Sequence, residues 1–399
     1  MEMKRVVSPE TVRMLELGHP WVIADRFTAK WPSGKAGDVL HLVDAAGRFL
    51  ATALYDPNDR IVARVLSRQH VRLDRKWLAE RVAKAVKLRR DHVLVQETDT
   101  CRIVNGEGDG LPGLTVDRYG DYLMVQLYTE AWRPYLKSLT GALQDCTPCR
   151  GIYEKTRPRN TRDGGGAVDG KRYGRLLWGE AAPDLLEVRE NGLRFLVSLD
   201  YGLNTGLFLD QRNNRRDIQC RTKGKTVLNL FAYTGSFSVA AAAGGADLVT
   251  GVDASTSYTD WARKNFERNG IDHQRHEFLV GDAFACLADL RNRERRYDLV
   301  IMDPPSFSTT SRSRFTTRGG TSELVEASLP LLADGGLLVA SSNHQKVDLA
   351  DYLKELRRGS LEAGSDLQVI STLGQAEDFP FLVTFPEGRY LKYVMCVKM

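Results

Sequence analysis

Four apolar runs in the second half of this 399-residue chain end in residues that could do chemistry. The run at 227–231 breaks at Ala232-Tyr233-Thr234-Gly235-Ser236, and the run at 248–252 closes on Asp253. The run at 277–280 leads through Gly281 to Asp282, and the run at 299–302 ends in Asp303-Pro304-Pro305-Ser306-Phe307. Short apolar runs bounded by turn residues and separated by helical patterns read as βαβ units of a parallel sheet. Such a sheet binds ligands at the carboxyl ends of its strands, where strand order reverses. The pattern therefore gathers Asn229, Phe231, Tyr233, Thr234, Gly235, Ser236, Asp253, Asp282 and Asp303 on one rim.

Those residue types suit an adenosyl ligand. The turn at 233–236 lets backbone come close to a polar tail. Asp253 stands where a carboxylate takes ribose hydroxyls, and Asp282 can accept from an adenine amino group. Only Gly235 falls in the turn, so GxGxxG is absent, as is a Walker Lys-Ser/Thr; this weakens dinucleotide-binding and NTPase readings. At the Asp303 corner two prolines stiffen the backbone. They fix successive carbonyls as acceptors, and Phe307 offers a stacking face. Such a corner can hold an exocyclic amine or a planar base against a methyl donor. The plain alternative is a strand-ending turn capped by Asp303. The other carboxylate-ended strands weigh toward function.

The rest of the chain must position that rim. Length allows two or three domains, and 42% hydrophobic with 27% charged residues describes an ordinary soluble protein. No apolar stretch is long enough to span a membrane, and no apolar signal core follows Met1-Glu2-Met3-Lys4-Arg5, so a cytoplasmic protein is expected. Net charge is +5. The excess is local: Lys155, Arg157, Arg159, Arg162, Lys171, Arg172 and Arg175, then Arg212, Arg215, Arg216, Arg221, Lys223 and Lys225, then Arg312, Arg314 and Arg318. Such clusters read equally as solvated surface or as phosphate contacts. Cys146-Thr147-Pro148-Cys149 is a lone CxxC without a second pair, so no metal site is expected and the thiols should be reduced.

Residues 1–72 read as a compact β-barrel, with a hairpin turn at Asp44-Ala45-Ala46-Gly47. A helix follows from Asp74 to about His92, apolar on one face and basic on the other. The glycine-rich stretch 105–120 reads as a turn-rich entry to a second, α+β region, because a strand rather than a helix follows it. Residues 151–175 read as a basic, flexible loop. The tail from Phe379 reads as a closing hairpin at the sheet edge, around Pro386-Glu387-Gly388.

At this point the sequence resembles S-adenosylmethionine-dependent 23S rRNA methyltransferases that carry an N-terminal PUA domain. In overall architecture it is similar to the family that makes 5-methylcytosine. The likeness lies in His19-Pro20-Trp21, Gly108-Asp109-Gly110-Leu111-Pro112-Gly113, Leu209-Asp210-Gln211-Arg212 and Pro386-Glu387-Gly388-Arg389-Tyr390-Leu391-Lys392. It implies an α/β protein with a PUA barrel at 1–72, a middle α+β domain at 73–195 and a Rossmann-like methyltransferase domain at 196–399. One departure bears on mechanism. Attack at cytosine C5 needs a nucleophile, in that family a cysteine within a Ser-Cys-Ser motif. Here Ser341-Ser342-Asn343-His344 occupies that place, and an amide is no nucleophile. The catalytic half also resembles guanine-N7 methyltransferases of 23S rRNA, through Thr205-Gly206-Leu207-Phe208-Leu209-Asp210, Asn229-Leu230-Phe231, Tyr233-Thr234-Gly235-Ser236 and Ser342-Asn343. Guanine N7 offers an in-plane lone pair and needs only alignment.

The expectation is a methyltransferase acting on a base of large-subunit rRNA, with guanine N7 favoured. The alternatives are cytosine C5, a non-catalytic factor that binds cofactor and RNA, and a small-molecule methyltransferase. S-adenosyl-L-methionine is the expected cofactor, held by Gln211, Asn229, Phe231, Tyr233, Thr234, Gly235, Ser236, Asp253, Asp282 and Asp303. Asp303, Pro304, Pro305, Phe307 and Asn343 would position the base, with His344 lining the pocket. RNA is the expected partner, no membrane is, and a homodimer stays open.

Overall fold

The structure is a computed structural model that describes residues 3–93, 97–156, 171–305, 307–309, 314–316 and 320–399. Arg157, Arg159 and Arg162 of the expected basic loop, together with Ser306, Arg312 and Arg318, lie outside the described residues.

Strands Met3–Val6, Trp21–Ile23, Val39–Val43, Phe49–Tyr55 and Ile61–Ser67 form the first, five-stranded sheet. The all-β expectation missed two elements there, the helix Pro9–Glu16 and a single 3₁₀ turn at Thr28–Lys30. The signal for the helix is present in the sequence. Ser8 accepts from the Thr11 N–H as N-cap, and proline follows at the first helical position.

The next helix, Arg75–His92, is capped by Asp74, whose side chain accepts from the Trp77 N–H. It lays Trp77, Leu78, Val82 and Ala85 against a second five-stranded sheet, built from Thr100–Asn105, Leu114–Tyr119, Tyr122–Leu127, Gly151–Lys155 and Gly174–Gly179. Here the loop expected from 151 is corrected. Gly151–Lys155 is a buried strand parallel to Tyr122–Leu127. Glycine and charge misled the reading, because Lys155 turns inward and its Nζ donates to the carbonyls of Leu199 and Tyr201. The hairpin Leu186–Glu190/Leu193–Val197 shares a core with Phe266 and Val239 of the catalytic region, so a boundary at 195 would cut a strand.

The third sheet carries the rim. Its strands are β1 (Thr226–Leu230), β2 (Leu248–Asp253), β3 (Glu277–Val280), β4 (Tyr297–Met302), β5 (Leu332–Ser342), β6 (Leu367–Leu373) and β7 (Lys392–Lys398), in spatial order β3-β2-β1-β4-β5-β7-β6. All neighbours are parallel up to β5, and β7 runs antiparallel to both β5 and β6. Val227, Leu299 and Val339 face one core and Leu228, Val300 and Leu338 the other. Both faces are therefore covered, which explains the near-continuous apolar runs. Strand order reverses between β1 and β4, and this opens the crevice.

The tail expectation needs correction. Residues 381–383 form no strand, and β7 pairs with the missed β6. The segment 374–391 instead crosses the molecule. Asp378 accepts from the Arg102 N–H and the Arg212 guanidinium, the Pro380 carbonyl from Asn105, and Phe385 packs against His19 and Trp21.

Candidate active site

The turn after β1 is strained. Phe231 and Tyr233 take φ of 56° and 53°, and Gly235 takes 77°. Left-handed backbone is costly for aromatic residues and persists only where the surroundings impose it. They do so here. The Tyr233 N–H donates to Asp253 Oδ2 at 2.8 Å, Asn265 Nδ2 donates to the Thr234 carbonyl at 2.8 Å, and Thr234 Oγ1 donates to the Gly206 carbonyl at 2.5 Å. Gly235 has no substitute, because a Cβ there would stand 2.7 Å from that of Ala262. Ser236 opens the helix Ser236–Ala243.

Asp253 lies at the end of β2, with Oδ1 accepting from the Ser255 N–H at 2.9 Å. Burial raises its pKa, and the two backbone hydrogen bonds oppose that shift. Asp282 follows β3 and caps the helix Ala283–Asn292, accepting from the N–H groups of Phe284 and Ala285. Backbone N–H groups thus aim both carboxylates, Asp282 from its own turn and Asp253 from its own turn and the turn after β1. Tyr233 packs edge-on to Tyr258 at 4.5 Å and lies 5.5 Å from the exposed ring of Phe208. Asn229 departs from the expectation for a rim residue: it is buried, and its Nδ2 donates to Ser238 Oγ at 2.9 Å.

On the other side of β1 the rim is built from distant side chains. Asp303 directly follows β4, with Pro304 buried and Pro305 exposed after it. Gln211 Nε2 donates to Asp303 Oδ2 at 3.1 Å and to Ser341 Oγ at 2.8 Å. Burial pushes the Asp303 carboxyl up to about 6, although hydrogen bonds from Ser341 and Gln211 pull the other way. Gln211 was expected to touch cofactor, yet its amide is engaged beneath Asp303, with Oε1 accepting from Asn214. Beside it, Asp210 accepts from the Tyr390 hydroxyl at 2.7 Å. Lys392 is buried, and its Nζ donates to the carbonyls of His344 and Tyr390 at 2.6 and 2.7 Å; burial pushes it down to about 8. Asn343 is exposed just past β5. Phe307 begins a short strand, Phe307–Thr309, but its side chain lies outside the described residues.

Two of the arginines considered as phosphate ligands are structural. Arg212 pairs with Asp378 and Arg215 with Glu190, each inside the protein. None of the six cysteines stands at the ends of β4 or β5. Cys396 faces Leu338 within the sheet and is pushed up to about 11 by burial, and Cys286 sits in Ala283–Asn292 with its thiol also raised by burial. Ser341, Tyr390 and Lys392 were not assigned roles from sequence. The motif at 386–392 was the available signal for the last two, but the sequence does not say what they touch.

The rim offers what an adenosyl sulfonium requires: a close backbone turn, two oriented carboxylates and an aromatic wall. The comparisons agree. A family model described as S-adenosylmethionine-dependent methyltransferase matches residues 102–384, and a PUA-like domain model matches 6–68. Ribosomal RNA large subunit methyltransferase I of Yersinia pseudotuberculosis is 32% identical over 398 residues, 99% of each chain. The solved structure of SMU.776 complexed with SAH is 28% identical with a TM-score of 0.89, over 99% of this chain and 100% of that one. A proposed SAM-dependent methyltransferase from Streptococcus mutans matches with a TM-score of 0.87 and 28% identity, over the full length of both.

Proposed function

This chain belongs to the S-adenosylmethionine-dependent methyltransferase family, and from that premise we propose that it methylates a base of large-subunit ribosomal RNA, at guanine N7. Support for the substrate comes from the full-length likeness to a ribosomal RNA methyltransferase and from the PUA-like module. The atom rests on one observation: Asn343, not a thiol, follows β5, the strand next to β4 and Asp303, and no cysteine stands at the ends of those two strands.

In this reading the turn 231–236 and Asp253 hold the cofactor, with Asp282 toward the adenine. The cofactor supplies an electrophilic methyl group. Asp303, once ionised, accepts from an amino group of the base and, with the Pro304 backbone, sets the ring's angle. Gln211 and Ser341 hold that carboxylate in place. Guanine N7 attacks with its own lone pair, so no residue need remove a proton. Alignment and exclusion of water carry the rate. A second reading, cytosine C5, is favoured by the whole-chain resemblance noted in the sequence; it requires a nucleophile from elsewhere.

Nucleoside mass spectrometry of large-subunit rRNA from cells with and without the protein tests this. Loss of one 7-methylguanosine, restored by the wild type but not by Asp303→Ala, is expected. Loss of a 5-methylcytosine instead would replace the first reading by the second.

A further inference from the structure

Where the first sheet, the helix Arg75–His92 and the crossing segment 374–391 meet, a cleft of about 820 Å³ opens. Its glycines are there for close approach. A Cβ on Gly18 would stand 2.6 Å from Thr384 Cβ and 2.8 Å from Arg68 Nη2, and one on Gly108 would stand 2.1 Å from the Pro380 carbonyl oxygen. The cleft is therefore a made junction of three regions, with Leu382 and Thr384 forming its far wall.

Its charges do not cancel. Glu16 is neutralised by Arg48 and Asp109 by Arg89, while Glu107, held only by the neutral indole of Trp21, keeps its single charge against three lining cations. Arg68, Arg81 and Lys84 line the same cleft, and none has a carboxylate partner among the described residues. Arg81 lies over the Trp77 ring, and one Arg68 nitrogen donates to the Leu15 carbonyl, so both guanidiniums are held in place while keeping their charge. Leu88 and Leu382 line the same cleft, partly exposed. Cations around a small apolar floor, in a volume within the range of ligand sites, suit the phosphates of an unpaired strand with a base packed on apolar side chains. An acidic protein segment would use the same charges, but the volume is that of a pocket, not of an extended protein interface.

We propose that this three-way cleft holds an unpaired stretch of the substrate RNA, phosphates on Arg68, Arg81 and Lys84 and a base against Leu88 and Leu382. The inference rests on the RNA reading above and adds where the RNA is gripped away from the reacting base. The wall residues Leu382 and Thr384 continue directly into Tyr390 and Lys392. Occupancy of the cleft and order at the Asp303 rim thus share one segment of chain.

The test uses full-length protein and unmodified large-subunit rRNA transcribed in vitro. Arg68→Gln/Lys84→Gln leaves the Arg81 stack intact, and Arg81→Gln is added as a third change. The control is Arg291→Gln/Arg357→Gln, two exposed cations outside the cleft. Fluorescence anisotropy should show RNA affinity about tenfold weaker for the triple variant, with the log–log salt slope smaller by about two. The KM for RNA should rise similarly, with kcat and SAH affinity unchanged. Affinity and slope equal to those of the control variant would overturn the cleft. So would full activity on naked RNA combined with loss only on ribosomal particles, which would make the partner a protein. Anisotropy needs no methyl transfer. If the wild type binds SAH yet methylates no rRNA, the proposed function fails while the cleft is still judged by RNA binding.

Discussion

The two halves of the rim are made in different ways. At the half proposed for the cofactor, the contacts are short in sequence: Asp253 holds the Tyr233 N–H from 20 residues away, and Asp282 caps the helix that follows it. At the half proposed for the base, Gln211 reaches Asp303 across 92 residues and Ser341 across 130, and Tyr390 reaches Asp210 across 180. One half is a strained backbone turn; the other is a buried polar network whose members depend on one another. A local turn can be aimed by its own sequence, whereas a network can be tuned only by the whole fold. The difference predicts that binding and chemistry can be damaged separately.

Asp303→Ala should show the largest effect. On the proposed mechanism it removes the acceptor for the base, which should lower kcat by about 10²–10³-fold, the scale of one preorganised polar group lost from a site. SAH affinity by calorimetry should change far less. Equal losses in both would mean that the two halves are not separable. The mirror experiment is Asp253→Ala. Losing charge-assisted hydrogen bonds, together with the Tyr233 anchor, should weaken SAH binding by about 10–100-fold. In that variant kcat at saturating cofactor should fall little.

That contrast also explains what the sequence made legible. Four carboxylate- or turn-ended apolar runs were enough to place β1–β4 and the turn at 231–236, because period and turn chemistry are local signals. Asn229 was misjudged, since a strand-end asparagine looks the same whether it faces ligand or, as here, Ser238. Gln211 is legible as a site residue, but its bonds to Asp303 and Ser341 are not. Lys155 and Arg212 read as surface charge, yet their partners, the Leu199 carbonyl and Asp378, lie far along the chain. Residues 374–391 carry no periodicity because they follow three other surfaces rather than one face of their own.

Acidity should separate the halves again. The Asp303 carboxyl titrates at about 6 because burial disfavours its charge. If the ionised form is required, kcat/KM should fall tenfold per pH unit below about 6, while SAH binding changes less there. Asp303→Asn should abolish that limb. The sign for stability is the reverse of the usual carboxylate case. The folded pKa lies above the unfolded value of 3.8, so the folded state holds the proton longer, and stability falls as pH rises between about 4 and 6. Asp303→Asn should therefore stabilise the fold at pH 7 by roughly 1 kcal/mol, read as a higher melting temperature. A lower one would mean that the Gln211 hydrogen bond outweighs the buried charge.

The smallest effect tests how far the network extends. Tyr390 belongs to the crossing segment, and its hydroxyl donates to Asp210, whose carboxyl is raised by burial with that hydrogen bond opposing. Tyr390→Phe keeps the ring and removes the donor. A desolvated acceptor left unpaired costs about 1–3 kcal/mol. Asp210 can escape part of this by protonating, so the loss of stability should lie near the lower end. Protonation also removes a negative charge that pushes the Asp303 carboxyl up. The acid limb of kcat/KM should therefore move to lower pH in Tyr390→Phe, with kcat at pH 8 reduced only a few-fold. A simple packing role for Tyr390 predicts lost stability with the limb unmoved. A shifted limb would show that the crossing segment sets the charge state around Asp303, whereas at the half proposed for the cofactor backbone N–H groups help to aim Asp253 and Asp282.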